Sequence, residues 1–301
     1  MKNLTLLAFL VLALNWFGCK DEDPEPEQQP TDSTAEPYVP VEVEDDWYEV
    51  TYVEPRTYII EEPSSAQGNV SYLILGDDRA VMFDTGAGEN NAVGDSKVMY
   101  LIEQITDLPV TLLMSHFHFD HNQNISEFDH VAFIELDYLV EGTSEEGIYT
   151  FSTQELVEGS YPESVEVDEW WTPDSYIDLG NRTIRIVSIP GHTDESAMIV
   201  DNENKLMFMG DYLYNGTLFI FGEDNVPVYE TTVDMLIANY DDSYTMYGAH
   251  GAPAIPHTDL QGLKDILICI EDGSCTPGVF NLWGYLVYHY ELGDMSVWLF
   301  T

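Results

Sequence analysis

Basic residues are scarce in this chain: 9 lysines and arginines stand against 55 aspartates and glutamates in 301 residues, a formal charge of −46. Nucleic acid is a polyanion gripped by clustered Lys and Arg, so a nucleic-acid partner is excluded. Adhesion to an anionic membrane surface is disfavoured on the same ground. Leu4 to Phe17 is an apolar run of only fourteen residues, short of the roughly 20 that a membrane-spanning helix needs. No GxSxG motif occurs, and no Gly-rich dinucleotide or phosphate loop. Cysteine is limited to Cys19, Cys269 and Cys275. What the chain does have is core material, with 45% hydrophobic and 13% aromatic residues. That suffices for one large domain or two small ones.

The N-terminus reads as an export signal. Lys2, the run to Phe17 and then Gly18 give a charged start, an apolar stretch of signal-peptide length and a small residue before a cleavage point. Cys19 directly after the glycine resembles a bacterial lipoprotein site, where it becomes the lipidated first residue and the only link to a membrane. Simple secretion is the alternative, because Trp16-Phe17 replaces the usual aliphatic-then-small pair. Residues 1–18 are thus expected to be a signal peptide. Residues 19–46, acidic and proline-rich, are expected to be an extended tether. An acidic run just after the cysteine also resembles the export signal of surface lipoproteins, so the outer membrane, the cell surface, the periplasm and the medium are the expected locations. Residues 47–301 are expected to be the folded domain. In a secreted chain Cys269 and Cys275 suit a local disulfide, with two free thiols as the alternative.

The acidity is not confined to the tether. Residues 21–50 hold 12 acidic residues and no basic one, while residues 51–301 hold 43 acidic and 7 basic. Solubility or adaptation to salt explains this. Selection against anionic ligands is the sharper reading, weakened by screening over roughly 8–10 Å.

Within the folded part, residues 57–62 and 70–75 are β-rich, and Ala80 to Phe83 is a short buried-strand run ending at Asp84-Thr85-Gly86. Val98, Leu101, Ile102 and Ile105 recur at helical spacing over 95–107. Pro109 ends that helix, and Val110 to Met114 is again strand-like. Arg182 to Ile189 alternates like a strand. Residues 197–201 and 205–209 suggest a hairpin. Thr258 suits an N-cap for a helix carrying Leu260, Leu263, Ile266, Leu267 and Ile270 on one face. Strand, helix, strand in succession means an α/β layered fold.

Chemistry concentrates after the 110–114 strand, in His116-Phe117-His118-Phe119-Asp120-His121. Three imidazoles and a carboxylate packed this closely cost stability unless something binds them. Transition metals do so, because neutral imidazole and carboxylate are their ordinary ligands. Three further strand ends carry His192, Asp211 and His250, each next to a glycine or one residue from it. Five histidines and two aspartates therefore sit on loops at strand ends, where open α/β sheets place their sites.

The series HxHxDH, then His, Asp and His, resembles the metallo-β-lactamase superfamily over about residues 57–255. The resemblance implies a four-layer αβ/βα sandwich with two divalent metal ions, zinc above manganese or iron. It implies His116, His118 and His192 at the first ion, and Asp120, His121 and His250 at the second. Asp211 would bridge the two, and Asp84 would support the site without touching metal. Asp120 would also act catalytically, holding the attacking hydroxide and protonating the leaving group. Lactamases proper usually have Cys or Ser at the bridging position. Asp211 therefore resembles the lactonase and glyoxalase II branch, and Tyr214 resembles a lactonase tyrosine that binds the substrate's oxygen; packing is its other reading.

No Lys or Arg falls inside a ligand motif, so a neutral, fairly apolar small-molecule ester, lactone or thioester is the expected substrate. The alternatives are amide hydrolysis of the β-lactamase type, a diiron redox protein, or a non-catalytic surface protein with a structural metal site. The insert 138–176, with Trp170-Trp171, is expected either to wall the pocket or to cover the sandwich. Phe219 and Phe221 are expected to pack in the core more than to line the pocket.

Overall fold

Nearly continuous apolar runs become strands covered on both faces, and alternating runs become strands with two different neighbours. This is seen in a computed structural model, which describes residues 38–53, 55–88, 98–152, 155 and 163–301. The expected signal peptide, Cys19 and most of the tether lie outside the described residues. Pro37–Thr301 form one compact unit.

The first sheet opens with β1 (Tyr38–Val41), β2 (Glu49–Val53), β3 (Thr57–Glu61), β4 (Val70–Leu75) and β5 (Ala80–Phe83), and continues through β6 (Val110–Leu113) and β7 (Val131–Ile134). Strand β1 pairs antiparallel with β2, so residues 38–41, expected in the tether, add an edge strand instead. Strands β8 (Ile148–Thr150) and β9 (Ser164–Glu166) form a small ribbon before β10 (Glu169–Trp171) joins β7 in parallel. Trp170 and Trp171 therefore cover the core, as one reading of the insert had it. The second sheet holds β11 (Tyr176–Asp178), β12 (Thr183–Ser188), β13 (Ala197–Asp201) and β14 (Leu206–Phe208). The chain then leaves it for β15 (Thr217–Phe221) and returns as β16 (Thr245–Tyr247) and β17 (Ala254–Ile255). A third sheet pairs β15 with β18 (Gly278–Leu282), β19 (Tyr285–Leu292) and β20 (Met295–Phe300) in the order β15-β20-β19-β18.

Among the described residues five helices with given bounds complete the layers: α1 (Val98–Ile105), α2 (Phe119–Asn122), α3 (Asp137–Gly142), α4 (Val226–Asn239) and α5 (Thr258–Glu271). The second sheet's side chains alternate between two cores, as a pleat requires. Ile184, Ile186, Ile199, Leu206 and Phe208 face the first sheet. Met198, Val200, Met207 and Met209 join Val233, Leu236, Leu263 and Leu267 of α4 and α5. On the first sheet, Val98, Leu101 and Ile102 of α1 are buried in the first core. The result is the expected αβ/βα sandwich, with helices outside two facing sheets. Helix α5 carries the expected apolar face, but Thr258 lies inside it. His257 is its cap, and no side chain caps the amides there. Cys269 and Cys275 form a disulfide across the end of α5, with Cα atoms 5.3 Å apart.

Candidate metal centre

Every chemical side chain of interest leaves a strand at the same end of the sheets. After β6 the chain turns through His116 and His118, then enters α2 with Asp120 and His121. His192 follows β12, Asp211 follows β14 and His250 follows β16. Two backbone contacts lock the loops together: Val70 N donates to Ala249 O at 2.8 Å, and Ala249 N to Gly210 O at 3.1 Å. Gly210 has φ +54°, and a Cβ there would lie 2.5 Å from Ser115 Cβ. Only glycine lets the Asp211 turn press against the His116 turn this closely.

The donors fall into two groups, His116, His118, His192 and Asp211, and Asp120, His121 and His250, whose atoms in each group lie within 4.8 Å of one another. His116 Nε2 and His192 Nε2 lie 2.9 and 3.0 Å from His118 Nδ1. Asp211 faces both groups. Its Oδ2 is 3.6 Å from His192 Nε2 and 3.9 Å from His116 Nε2, its Oδ1 is 3.4 Å from His121 Nε2, and His250 Nε2 lies 3.0 Å from Oδ1 and 3.1 Å from Oδ2. The structure thus brings together all seven residues singled out from the sequence.

Partners behind the rings fix which nitrogen points inward. His192 Nδ1 sits 2.9 Å from Phe219 O, and His250 Nδ1 3.0 Å from Gln67 O. His116 Nδ1 meets Ser115 Oγ at 2.9 Å. Asp84, at φ +65°, accepts from Ser115 N and Oγ at 2.5 and 2.7 Å and lies 3.0 Å from His121 Nδ1. Asp84 therefore stands behind the donors, as the resemblance implied. Asn69 Nδ2 holds Asp120 by its carbonyl at 2.8 Å and its Oδ2 at 3.3 Å. Nothing in the local sequence pointed to Asn69, Ser115 or Gln67; they act from a turn, a strand end and a loop without a motif.

The electrostatics differ between the groups. Burial and the surrounding imidazoles hold His116 and His118 well below the ordinary histidine range, and burial also lowers His192. Burial pushes His121 and His250 down as well, but Asp211 and Asp120 outweigh it and raise both. Asp211 is held well below the carboxylate range because His250 and His121 overcome its burial. His121 Nε2 and Asp211 Oδ1 are buried, and their near polar neighbours, at 3.0–3.6 Å, are other donors of the centre. Inward lone pairs converging in a buried centre are what a cation would satisfy, so the donor set fits divalent metal.

The centre floors a cavity of about 1540 Å³. Tyr138, Ser152 and Glu155 from the insert line one side, so part of the insert does wall the pocket. Phe219 and Phe221 line another side, half-buried, which corrects their expected core role. Their alternation with the buried Leu218 and Ile220 points them out of the core. Tyr214 lines the cavity too, but its hydroxyl donates to Thr217 O at 2.5 Å and its ring lies edge-on, 4.9 Å from His250. Trp283, Tyr285, Trp298 and Phe300 also line it; none was expected there.

Comparison with known proteins agrees with this geometry. Residues 66–272 match the Lactamase_B family, the metallo-beta-lactamase superfamily. The acyl-coenzyme A thioesterase MBLAC2 of Homo sapiens is 26% identical over 192 residues, covering 58% of this chain and 69% of the human protein. Its Gallus gallus counterpart is 24% identical, covering 56% and 64%. Among solved structures, a metallo-beta-lactamase from Pontibacter korlensis superposes with a TM-score of 0.55 at 18% identity, over 73% of this chain and 99% of that one. A metallo-beta-lactamase family protein from Thermus thermophilus gives 0.53 at 16%, over 74% and 96%. The chain belongs to the metallo-beta-lactamase superfamily of metal-dependent hydrolases.

Proposed function

We propose that the protein is a binuclear metal-dependent hydrolase of uncharged carboxylic esters and thioesters. The observation that carries this reading is Asp211, one carboxylate that lies between two donor groups and reaches His192 and His116 of one and His250 and His121 of the other. His116, His118 and His192 would hold one ion, Asp120, His121 and His250 the other, and Asp211 both, with zinc best suited to the mix of imidazole and carboxylate. Bound there, divalent ions supply Lewis acidity toward a carbonyl and a water that loses its proton near neutral pH.

The chain's own groups do the rest. Asp120 Oδ2 lies 3.6 Å from both His121 Nε2 and His250 Nε2, and Asn69 fixes it. From there it holds the attacking water in line and carries a proton to the leaving group. Tyr214 has already committed its hydroxyl to Thr217 O, so its part is to pack against His250 and hold that ring in place.

The cavity argues for an uncharged substrate. Phosphates and carboxylates are recognised by Arg and Lys, and no described residue lining the cavity is Lys or Arg. The relatives' name supports thioester cleavage; their coenzyme A handle, rich in phosphate charge, finds no Lys or Arg partner among these residues. Export and anchoring through Cys19 remain part of this proposal, and the Cys269–Cys275 bridge supports an oxidising compartment.

Zinc-loaded protein should hydrolyse aryl esters, lactones and uncharged thioesters faster than acyl-coenzyme A or cephalosporins. Asp211→Ala should lower kcat/KM on all of them by about 10²–10³-fold and halve the bound zinc measured by elemental analysis. A strong preference for acyl-coenzyme A or cephalosporins would overturn the substrate reading.

A further inference from the structure

Residues 273–301 lie beyond the family match, which ends at residue 272, yet β18 to β20 supply a wall of the cavity. Strands β15 and β20 run parallel with Phe219 opposite Trp298 and Phe221 opposite Phe300. Directly opposed residues share a face, so four aromatic rings stand together. Leu218, Ile220, Val297 and Leu299 turn to the core on the other face. Phe221 and Phe300 stack at 5.0 Å, and Phe219 and Trp298 at 5.2 Å.

The run has two ends with different surroundings. At one end the Phe221 ring lies 5.3 Å from His118 and 5.6 Å from His192. At the other, Trp283 stacks on Phe300 at 6.1 Å while 62% exposed. Trp283 also holds φ +52°, a left-handed conformation that a bulky side chain adopts only at a cost. Phe300 is itself 4% exposed between its two neighbours, so the rings in file from the metal donors to the exposed Trp283 line the cavity with apolar edges that water wets poorly.

We propose that the hairpin of β18 to β20 is the acyl-chain platform of this hydrolase. The substrate's apolar chain would lie along Phe221, Phe300 and Trp283 with its carbonyl at the metal centre. The proposal rests on the acyl-hydrolase reading and names its substrate class: uncharged esters or thioesters of medium-chain acids, with the acyl part as the handle.

The test has two arms on the full chain. With zinc-loaded protein and p-nitrophenyl esters from acetyl to octanoyl, kcat/KM should rise roughly two- to fourfold per added methylene. Trp283→Ala should cut the octanoyl-to-acetyl ratio about tenfold. Val279→Ala, at an exposed position opposite Tyr288 on the hairpin's other face, should leave the ratio alone. A ratio flat with chain length, or unchanged in Trp283→Ala, overturns the platform. In the second arm, calorimetry with metal-free protein should show octanamide binding, weakened in Trp283→Ala, and none for acetamide. Absence of octanamide binding again overturns the platform. Octanamide binding by a protein that hydrolyses no ester overturns the acyl-hydrolase reading and leaves the platform standing.

Discussion

Buried charge lies at both ends of the sandwich and is treated in opposite ways. At the end away from the cavity, Arg182 is 7% exposed, and its guanidinium is consumed by the chain. Its Nε donates to Asp201 Oδ2 at 2.8 Å, its Nη1 to Pro55 O at 2.9 Å, Arg56 O at 3.1 Å and Leu75 O at 3.2 Å, and its Nη2 to Thr57 Oγ1 at 2.9 Å. Asp201, fully buried, also accepts from Asn204. At the cavity end, His121 Nε2 and Asp211 Oδ1 are also buried, but they face other donors of the centre and no neutral partner fixed by the fold. A buried polar group that the chain satisfies is there to hold the fold. One that the chain leaves open is waiting for something the chain does not contain. Isolated open atoms such as Gln123 Oε1, Ser175 Oγ and Arg185 Nε occur elsewhere, so it is the convergence of seven donors at the cavity end that marks its charge as functional.

The closed end should fail first when cut. Arg182→Met strands Asp201 and four other acceptors across the two sheets, and breaking a buried pair of this kind costs about 3–5 kcal/mol. Denaturant unfolding should show that loss, while kcat/KM per folded molecule stays within about twofold, because the clamp lies at the far ends of β4 and β12. A loss under about 1 kcal/mol would mean that the network is an ornament of the surface and would break the comparison.

Asp84 belongs to both categories. Its oxygens are satisfied by Ser115 and His121, yet the group it steadies is an open donor. Asp84→Asn keeps the shape and tolerates φ +65° but removes the charge behind His121. Groups that orient a metal ligand cost about 10–100-fold when changed. We expect that loss in kcat/KM at low zinc, with partial recovery at high zinc and little change in Tm. A fall in Tm without any zinc dependence would place Asp84 with the structural charges instead.

The divide also marks what the sequence makes legible. The donors announce themselves, since His116 to His121 concentrate titratable groups that no core would carry unbound. The strands of the first core read plainly because β5 and β14 are apolar throughout and β4 departs from that mainly at Ser71. Helix α4 does not: Val226, Val228, Thr231, Thr232 and Val233 favour strands locally. It is helical because Val226, Tyr229, Val233 and Leu236 recur at helical spacing and bury against the second sheet. The aromatic wall was hidden for a different reason. Alternation in Met295 to Phe300 marks a strand, but its parallel pairing with β15, 79 positions earlier, is a long-range event that no local pattern encodes. Likewise Thr258 has the chemistry of a cap, but Pro256 lets the helix begin early and leaves it inside.

Glu195 sharpens the comparison with its smallest effect. It is 6% exposed at the cavity rim, accepts from Phe117 N at 3.2 Å and faces the Tyr138 hydroxyl at 3.4 Å. Burial raises its pKa above the ordinary carboxylate value, and its hydrogen bonds offset this only in part. A raised folded-state pKa means that the group's stabilising contribution is complete below the unfolded value. It is then lost as pH climbs through the folded one. Glu195→Gln removes that titration, so wild type should be at least as stable as the variant at low pH. It should fall behind as pH rises above about 4.5. The slope cannot exceed about 1.4 kcal/mol per pH unit, the limit for one proton. Denaturant unfolding of both proteins across that range reads the difference directly. A gap that stays constant would mean the Phe117 and Tyr138 contacts satisfy the ionised form fully, and Glu195 would then belong with Arg182 rather than with the open donors below it.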